Sequence, residues 1–384
     1  MFTISNGIIL KGQNLTPVRE NIVVDEGRII EIGKGSKEGK IIDVDGAIVC
    51  PSFINGHIHI GDSIIKDEGY GLSLSEMVRP PDGVKHVALA NASDEELISA
   101  MRQSMMEMIE SGTTHFIDYR EGGIKGVKLL KKAATGLPIK PIILGRDDSF
   151  YGDDPDLGKV KKAIQKLLKV ADDIAPSGFG EITSEVAKLI VDECNKKNKI
   201  SSIHVAESES NQIESLNKSK STEIEKGVKA GFSQLVHLTN PKGIDLDEVS
   251  KSKQNVVVCP RANATLNVGV APLNKMIKLN IKPLLGSDNV MLNSPNMLRE
   301  LEFTLKVMSV YYRQYINPAD LLKMATTNIN YYDINDIVQK SLIKEGDFAE
   351  FIVFNSFSKN PYLNICNRLE TKNILYTINK KFNI

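Results

Sequence analysis

Short apolar segments alternate with helical patterns through the middle of the chain, and this alternation is the feature that most constrains the fold. Eight segments have the length and composition of buried strands: 53–60, 113–119, 140–145, 174–178, 200–206, 234–238, 255–259 and 282–287. Helical patterns accompany them at 94–111, 159–171, 184–197, 223–230, 273–279 and 294–312. Eight strand-then-helix units predict a closed parallel barrel with the helices outside. An open doubly wound sheet is the alternative, but the chain has no Gly-rich first turn of the kind that such sheets carry.

The length of the repeat also fits a barrel. From His57 to Asp288 the chain runs 232 residues, or 29 for each of eight units, close to the ~250 residues typical of a (β/α)8 barrel. The first two strands are unusually far apart, so we expect residues 61–91 to form a long loop at the catalytic end of the barrel. Loops of this length often act as lids. Glycines and prolines interrupt it at Gly69, Gly71, Pro80, Pro81 and Gly83.

Both ends of the chain have strand patterns without helices. In the first fifty residues these predict a β-meander with turns at Asn6-Gly7, 25–27 and Asp45-Gly46. Strand patterns return at 348–354 and 373–378. We therefore predict an α/β protein of two domains. Residues 1–50 and 343–384 would form a small discontinuous β-sandwich, and residues 51–342 the (β/α)8 barrel, known as a TIM barrel.

Composition narrows the class of protein. The 384 residues include 48 Lys plus Arg and 48 Asp plus Glu, giving zero formal net charge, whereas nucleic-acid binders usually have a basic surface. No apolar stretch approaches the ~20 residues that a membrane span needs, and the N-terminus lacks the pattern of a signal peptide. The four scattered cysteines suit reduced thiols. These features predict a cytoplasmic enzyme that acts on a small molecule, without nucleic-acid or membrane partners.

The histidines are few, and their positions indicate a metal site. Of six, four fall at predicted strand ends, and the eighth strand is followed by an aspartate; these residues are His57, His59, His204, His237 and Asp288. Reacting groups in a barrel come from the C-terminal ends of its strands. His57 and His59, two apart, point to one face of a strand, roughly 6–7 Å apart along the chain. Imidazoles with a carboxylate form a sound ligand set for Zn²⁺ or Fe²⁺.

Six segments carry a family resemblance. PSFINGHIH at 51–59 resembles the PGFxNxHxH signature of the amidohydrolase superfamily. Five further segments resemble its deaminase and chlorohydrolase branch, which includes cytosine, guanine and S-adenosylhomocysteine deaminases: HVAE at 204–207, LVH at 235–237, VCPRAN at 258–263, GSDN at 286–289 with NS at 293–294, and DFAEFIVF at 347–354. The resemblance runs from end to end, with the motifs in family order.

The resemblance implies a role for each matching residue. His57, His59, His204 and Asp288 would bind one divalent metal, with Zn²⁺ or Fe²⁺ as candidates. His237 would contact the reacting centre, and Glu207 would carry protons. Binuclear relatives bridge two metals with a carboxylated lysine at the end of strand four, where this chain has IAPSG at 174–178. The resemblance therefore implies a single metal.

Two positions depart from the family pattern. Ser52 replaces the usual glycine, and Val257 or Val258 occupies a position where some nucleoside deaminases carry a further histidine. The second departure weakens assignment to any particular nucleoside. Barrels of this superfamily are often oligomers, so a homo-oligomer is among the expectations.

The expected reaction is deamination of an aminated purine, pyrimidine or related heterocycle. A metal would lower the pKa of water from ~15.7 towards ~7, hydroxide would attack the ring carbon, and Asp288 would accept the proton of the water. Glu207 would protonate the ring nitrogen, and ammonia would leave. Within a strand Glu207 would face away from His204, because a separation of three residues is odd. The strand must therefore end near Val205 for both side chains to reach the site.

Other functions are compatible with the same sequence features. The same site could hydrolyse a cyclic amide or imidazolone C–N bond, or a C–Cl bond, although Glu207 favours deamination. A non-catalytic scaffold is the other alternative, disfavoured because every ligand position is filled. Polar residues near strand ends or in the long loop are candidate substrate contacts, namely Asp118, Arg120, Arg261 and His86.

Overall fold

The computed structural model describes residues 1–78, 82–332, 342–379 and 382–383. Its strands are β1 (Phe2–Lys11), β2 (Thr16–Asp25), β3 (Arg28–Gly33), β4 (Lys40–Asp43), β5 (Ile48–Pro51), β6 (Phe53–His59), β7 (Thr113–Arg120), β8 (Lys140–Gly145), β9 (Asp173–Ile174), β10 (Ser202–Val205), β11 (Gln234–His237), β12 (Asn255–Val258), β13 (Leu284–Leu285), β14 (Asp288–Asn289), β15 (Phe351–Phe354), β16 (Ile374–Asn379) and β17 (Phe382–Asn383).

Helices alternate with the strands from β6 onward. They are α1 (Leu74–Val78), α2 (Val84–Asn91), α3 (Asp94–Glu110), α4 (Gly123–Ala134), α5 (Leu157–Leu167), α6 (Ser184–Asn195), α7 (Glu209–Ser219), α8 (Glu223–Ala230), α9 (Asp245–Ser252), α10 (Pro260–Thr265), α11 (Leu273–Lys278), α12 (Met297–Tyr311), α13 (Pro318–Met324) and α14 (Pro361–Arg368). Four short 3-10 helices lie at Ile60–Ile65, Asp148–Phe150, Thr327–Tyr331 and Thr371–Asn373. Within the described residues, no helix has both the length and the apolarity to cross a membrane.

The two ends of the chain meet in one sheet of eight strands. Its hydrogen-bonded order is β17-β16-β15-β5-β1-β2-β3, and β4 also pairs with β1. The joint between the two ends is the antiparallel pair of β5 and β15, in which Val353 lies opposite Val49. Buried residues from both ends, including Ile9, Val49 and Phe351, form a shared hydrophobic cluster.

The N-terminal strands pair differently from a simple meander. The predicted turn at Asn6-Gly7 is wrong, because β1 runs straight through these residues and its pairing with β2 shifts register there. Asn6 takes a left-handed φ of 60°, so the Asn-Gly pair forms a bulge within a strand, not a hairpin turn. The predicted hairpin of β2 and β3 is present.

The third predicted hairpin is also wrong. The chain turns at Asp45-Gly46, but β4 and β5 do not pair with each other. Both pair in parallel with β1, β4 along residues 2–5 and β5 along residues 8–9. They therefore follow one another along the same edge of β1. A local turn signal fixes where a chain reverses, but it does not determine which strand the next segment pairs with.

The middle of the chain forms two parallel sheets. One has the order β14-β6-β7-β8-β9 and the other β10-β11-β12-β13, and all their strand pairs are parallel. All eight predicted strands are found, but the fourth and eighth are shorter than predicted, at two residues each. The fold is therefore α/β, with the carboxyl ends of the parallel strands brought to one side.

Helix α4 is not among the predicted helices. Three glycines lie at its start, Gly122, Gly123 and Gly126, and glycine disfavours helices. The helix forms because Val127, Leu130 and Ala133 lie on one face and are buried in the main core. In contrast, α3 begins at Asp94 as predicted, with a capping box between Ser93 and Glu96, and ends one residue before the predicted boundary.

The described part of the long loop at 61–91 packs against the parallel-strand part of the molecule. It contains the end of the first 3-10 helix, α1 and α2, and its Ile65 and Met77 pack with Leu266 and Met291 in a separate hydrophobic cluster. Its glycines at 69, 71 and 83 are described, whereas Pro80 and Pro81 lie outside the described residues.

Strand β15 joins the terminal sheet to the rest of the molecule. Phe351 and Val353 belong to the cluster of the terminal sheet, whereas Ile352 points the other way into the main core. Its Cδ1 would lie 2.4 Å from a Cβ on Gly112. Gly112 follows α3 with φ of 86°, so glycine is needed there for both its backbone conformation and the close approach of Ile352.

Replacing Ile352 by Ala should lower the free energy of unfolding by about 2–5 kcal/mol, because it leaves a cavity where the two parts of the molecule meet. Urea denaturation followed by circular dichroism measures this change. Leu375→Ala in β16 is the matched control, since Leu375 is 43% exposed, and it should cost much less. Equal losses from the two variants would contradict the packing role of Ile352.

Candidate metal centre and active site

Four histidines and one aspartate converge at the carboxyl ends of the parallel strands. His57 and His59 end β6, His204 lies in β10, His237 ends β11 and Asp288 begins β14. The centroid of the His57 ring lies 4.9 Å from that of His59, 5.0 Å from that of His204 and 5.7 Å from that of His237. Asp288 Oδ1 lies 3.1 Å from Nε2 of His57 and 3.6 Å from Nε2 of His59. The structure thus brings together all the residues predicted to bind metal.

Unusual backbone conformations aim these side chains. His237 has φ of 78° and Asp288 φ of 59°, values that non-glycine residues rarely adopt and that cluster at functional sites. Close strand packing supports the arrangement, because a Cβ on Gly286 would lie 2.6 Å from the Cβ of His57. Only glycine fits at position 286, two residues before Asp288.

The unpaired atoms of this cluster fit a metal ion. Nε2 of His204, Nδ1 of His57 and Oδ2 of Asp288 are buried and have no hydrogen-bond partner among the described residues. Most buried polar atoms in folded proteins have a hydrogen-bond partner. Ligand atoms of His57, His59 and His204 all lie within 4.8 Å of one another, as do those of His57, His237 and Asp288. Imidazole nitrogens and a carboxylate at these separations are a donor set suited to a divalent ion such as Zn²⁺.

Hydrogen bonds on the far side of two rings select the tautomer that binds metal. Nδ1 of His204 donates to the carbonyl of Ser177 at 2.9 Å. Nδ1 of His59 donates to the carbonyl of Tyr119 at 3.2 Å and to Oε1 of Glu121 at 3.1 Å. Each ring therefore keeps its proton on Nδ1 and presents the lone pair of Nε2 to the cluster.

Burial keeps these imidazoles neutral. It lowers the pKa of His59 to about 3, with the charge of Lys85 acting in the same direction. Burial also lowers the pKa of His57 and His204 well below the usual value, and neighbouring histidines add to this effect. Neutral imidazole is the form that binds a metal.

Glu207 reaches the same site because its strand ends early. Strand β10 stops at Val205, as the parity argument requires, and Ala206 turns the chain with φ of 52°. Oε2 of Glu207 then lies 3.6 Å from Nε2 of His237. Burial raises the pKa of Glu207 to about 7, with the nearby His237 opposing this shift and Asp288 adding to it.

Asn263 completes the surroundings of His237. Its Nδ2 lies 3.3 Å from Nδ1 of His237. An amide that donates to Nδ1 leaves the proton of the ring on Nε2, the nitrogen that faces Glu207.

The four predicted substrate contacts are not brought to the cavity over the cluster. Within the described residues, that cavity is not lined by Asp118, Arg120, Arg261 or His86. Asp118 accepts from the backbone N–H of Ile60, and Arg120 binds Glu121. Arg261 binds the buried Glu300, and His86 bonds the carbonyl of Val78. Position near a strand end, or in the long loop for His86, was the only signal for these residues, and their polar atoms bind other parts of the protein.

Three charged residues that the sequence analysis did not assign to the site lie beside it. Glu121, directly after β7, accepts from His59 and contacts Arg120, Arg146 and Lys85. Arg146, after β8, pairs with Glu121. Glu121 and Arg146 directly follow the second and third predicted strands, so their sequence positions could have indicated a place near the site. Lys85 lies within the long loop, and its sequence position gives no such indication.

A cavity of about 1610 Å³ opens over the cluster. Its inner end is lined by His59, His204, Glu207, His237 and Asp288. It continues outward between the segment at 178–183 and helix α7, where Lys218 and Lys226 also line it. The volume exceeds the 300–1,000 Å³ common for small-ligand sites.

Comparison with known proteins identifies the family. The model of the amidohydrolase family matches residues 48–384. The chain belongs to the amidohydrolase family. It is 45% identical over 381 residues to a provisionally named aminohydrolase of Methanothermobacter thermautotrophicus, covering 99% of this chain and 98% of that protein. It is 27% identical over 399 residues to a 5-methylthioadenosine/S-adenosylhomocysteine deaminase of Pyrococcus furiosus, covering 94% and 87%.

A solved structure shows the same fold. Atrazine chlorohydrolase from Arthrobacter aurescens, complexed with zinc, superposes with a TM-score of 0.84 at 16% identity, over 100% of this chain and 95% of that one. The family match and the deaminase relative show that the present chain is an enzyme that hydrolyses C–N bonds other than peptide bonds. Its family uses a divalent metal.

We predict one equivalent of divalent metal per chain, measured by elemental analysis of the purified protein. The segment after β9 provides no lysine to bridge a second ion. The double variant His57→Ala, His59→Ala should lose the metal, because it removes two of the four predicted ligands. His86→Ala, outside the cluster, should keep it. Two equivalents in the wild-type protein, or full metal in the double variant, would contradict this assignment.

Proposed function

We propose that this amidohydrolase removes the exocyclic amine of an aminated purine, pyrimidine or related heterocycle. The observation that carries the proposal is the position of Glu207, whose carboxyl group lies 3.6 Å from His237 at the edge of the His/Asp cluster. Deamination needs a group that delivers a proton to a ring nitrogen, and Glu207 supplies one next to the ligand set. The relatives named as deaminases support the same chemistry.

Four residues would hold one metal ion: His57, His59, His204 and Asp288. When bound, a divalent ion lowers the pKa of water from 15.7 to about 7 and so supplies a nucleophile at neutral pH. Oδ2 of Asp288 has no other partner among the described residues, which leaves it available to take a proton from water. We propose zinc as the ion, because the similar chlorohydrolase structure holds zinc.

The reaction balances with the groups present. A C–O bond forms at the ring carbon, and the C–N bond to the exocyclic amine breaks. Of the two water protons, one goes to the ring nitrogen and the other to the departing amine, which leaves as ammonia. Asp288 accepts the first proton, Glu207 carries protons to the two nitrogens, and Nε2–H of His237 donates to the new oxygen.

The cavity favours a substrate larger than a free base. A nucleobase fills only a small part of about 1610 Å³, and the outward extension has polar and charged walls suited to a hydrophilic substituent. The 5-methylthioadenosine/S-adenosylhomocysteine deaminases among the relatives act on aminopurines that carry such groups, as their names state. We therefore propose an aminopurine bearing a polar substituent as the substrate class.

The architecture we propose around this site is a closed (β/α)8 barrel over residues 51–342, with a separate domain formed by residues 1–50 and 343–384. A parallel bridge between Ile174 and Ser201 links the edges of the two parallel sheets at β9 and β10. At the other edge β14 pairs with β6, and β13 lies only two residues before β14 in the chain. Both edges of each sheet are thus accounted for, which supports closure.

A second candidate function has support from the fold. The similar structure of atrazine chlorohydrolase belongs to an enzyme that breaks a C–Cl bond, so displacement of chloride from a heterocycle by the same site is the rival reaction. The two reactions differ in their leaving group and are separated by measuring ammonia against chloride. Hydrolysis of a cyclic amide, the third candidate, releases neither.

Glu207→Gln should lower kcat by about 10²–10⁴-fold, because the amide keeps the size of the side chain but cannot carry a proton. Metal content should stay at the wild-type level, since Glu207 is not among the proposed ligands. Glu225→Gln on the surface of α8 is the matched control and should leave kcat unchanged. Near wild-type turnover by Glu207→Gln would favour hydrolysis of an already activated carbonyl.

A substrate panel tests the reaction itself. We expect metal-replete enzyme to release ammonia from aminopurine nucleosides with polar 5′ substituents at higher kcat/KM than from free nucleobases or pterins. The outward extension of the cavity gives the substituent a binding surface that a free base lacks. Ammonia is measured with a coupled dehydrogenase assay, and chloride release from a chlorinated triazine is measured in parallel. Chloride without ammonia would replace the deaminase proposal with its rival.

A further inference from the structure

A single lysine from the long loop reaches the supports of the metal site. Lys85 belongs to α2, within residues 61–91, and only 1% of it is exposed. Its Nζ lies 2.6 Å from Oε1 of Glu121 and 3.7 Å from Oδ2 of Asp62. A buried ammonium is costly unless acidic groups compensate for it, so these two carboxylates determine where Lys85 can lie.

Each of the two carboxylates holds a different part of the ligand set. Glu121 accepts a hydrogen bond from Nδ1 of His59 at 3.1 Å. Asp62 accepts from Nδ2 of Asn289 at 2.7 Å and from the backbone N–H of Met291 at 3.2 Å. Asn289 follows Asp288 directly, so Asp62 holds the segment that presents this ligand. Lys85 is the group that contacts both supports.

We propose that Lys85 is a positioning residue for the metal centre, acting on His59 through Glu121 and on Asp288 through Asp62 and Asn289. The long loop is then part of the scaffold of the site and not only its cover. This inference rests on the metal centre of the proposed function. Lys85 also lines the cavity over the cluster, but the role proposed for it acts through Glu121 and Asp62.

The contacts of Lys85 form two branches, one through Glu121 to His59 and one through Asp62 and Asn289 to Asp288. They differ in how far they depend on Lys85. Glu121 also contacts Arg120 and Arg146, so it keeps cationic partners when Lys85 is removed. Within the described part of the chain, Asp62 has ion-pair distance to Lys85 alone. Loss of the ammonium should therefore disturb the Asp288 side of the site more than the His59 side.

Metal affinity tests the proposal without relying on turnover. Full-length apoprotein of the wild type and of Lys85→Met, which keeps the length of the side chain, is titrated with Zn²⁺ against a chelator of known affinity. Removing partners behind metal ligands typically costs about 10–100-fold in affinity, and we expect a loss of this size. The visible absorption of the Co²⁺-loaded protein should also change, because it reports the geometry of the ligands.

Lys66→Met is the matched control. Lys66 lies in the same loop and pairs with Glu107 at 2.5 Å, away from the cluster. It should retain the Zn²⁺ affinity and the Co²⁺ spectrum of the wild type. If Lys85→Met binds both ions as the wild type does, the proposal is overturned. A change in KM alone, with metal affinity and spectrum intact, would overturn it as well.

A double-mutant cycle separates positioning from general loss of stability. In an Asp62→Asn background, Lys85→Met should cost at least threefold less Zn²⁺ affinity than in the wild type, because one branch is already broken. Independent, multiplicative losses would contradict the coupling. If Lys85→Met does not fold, as judged by circular dichroism, Lys85→Gln replaces it in the same titrations, since it keeps a donor to Glu121 without the charge.

The outcomes also separate this inference from the proposed function. Absence of Zn²⁺ binding by the wild-type protein would remove the metal centre, and the proposed function would fail first. Tight binding by the wild type with equal binding by the Lys85 variants would overturn the inference alone.

Discussion

The structure around the site depends on one constraint: several ionisable side chains face one another at the base of the cavity, and some of their buried nitrogen and oxygen atoms have no hydrogen-bond partner among the described residues. Nε2 of His204 and Oδ2 of Asp288 are the clearest cases. Leaving such atoms unpaired costs free energy. The arrangement therefore persists only because the surrounding backbone and side chains fix the positions of these residues. The strand ends, the left-handed residues at His237 and Asp288, and the carbonyl behind His204 all serve this arrangement. Imidazole nitrogens and a carboxylate in this arrangement suit a divalent metal, which the amidohydrolase family uses.

Much of this arrangement could be predicted from the sequence because it follows from local periodicity. Strand-length apolar segments identified the eight strands, and the parity of a strand predicted that β10 must end at Val205 for His204 and Glu207 to share a site. The capping box at Ser93 fixed the start of α3 in the same way. Each of these signals depends on residues a few positions apart, so the sequence alone contains the information.

The wrong predictions concern features that depend on contacts between segments far apart in the sequence. The turn at Asn6-Gly7 became a bulge because β1 pairs with β2 on both sides of it, which no local signal reports. Asp118 and Arg261 have the expected positions at strand ends, but Asp118 accepts a hydrogen bond from Ile60 and Arg261 donates one to Glu300. Lys85 was missed for the same reason, because its partners Asp62 and Glu121 lie 23 and 36 positions away in the chain.

Buried acids near the site show what this arrangement costs in stability. Burial raises the pKa of Asp62 and Asp118 to about 6 and that of Glu300 to about 7. A carboxyl whose pKa is higher in the folded state binds protons more tightly there than in the unfolded chain. Its contribution to the free energy of unfolding is therefore present at low pH and is lost as the pH rises through about 6–7.

At neutral pH these groups oppose folding, and their cationic partners, Lys85, Arg120 and Arg261, offset part of the cost. A chain selected for stability alone would place apolar residues at such positions. Paired charges beside the ligand set are consistent with a fold that maintains the geometry of the site at some expense of stability.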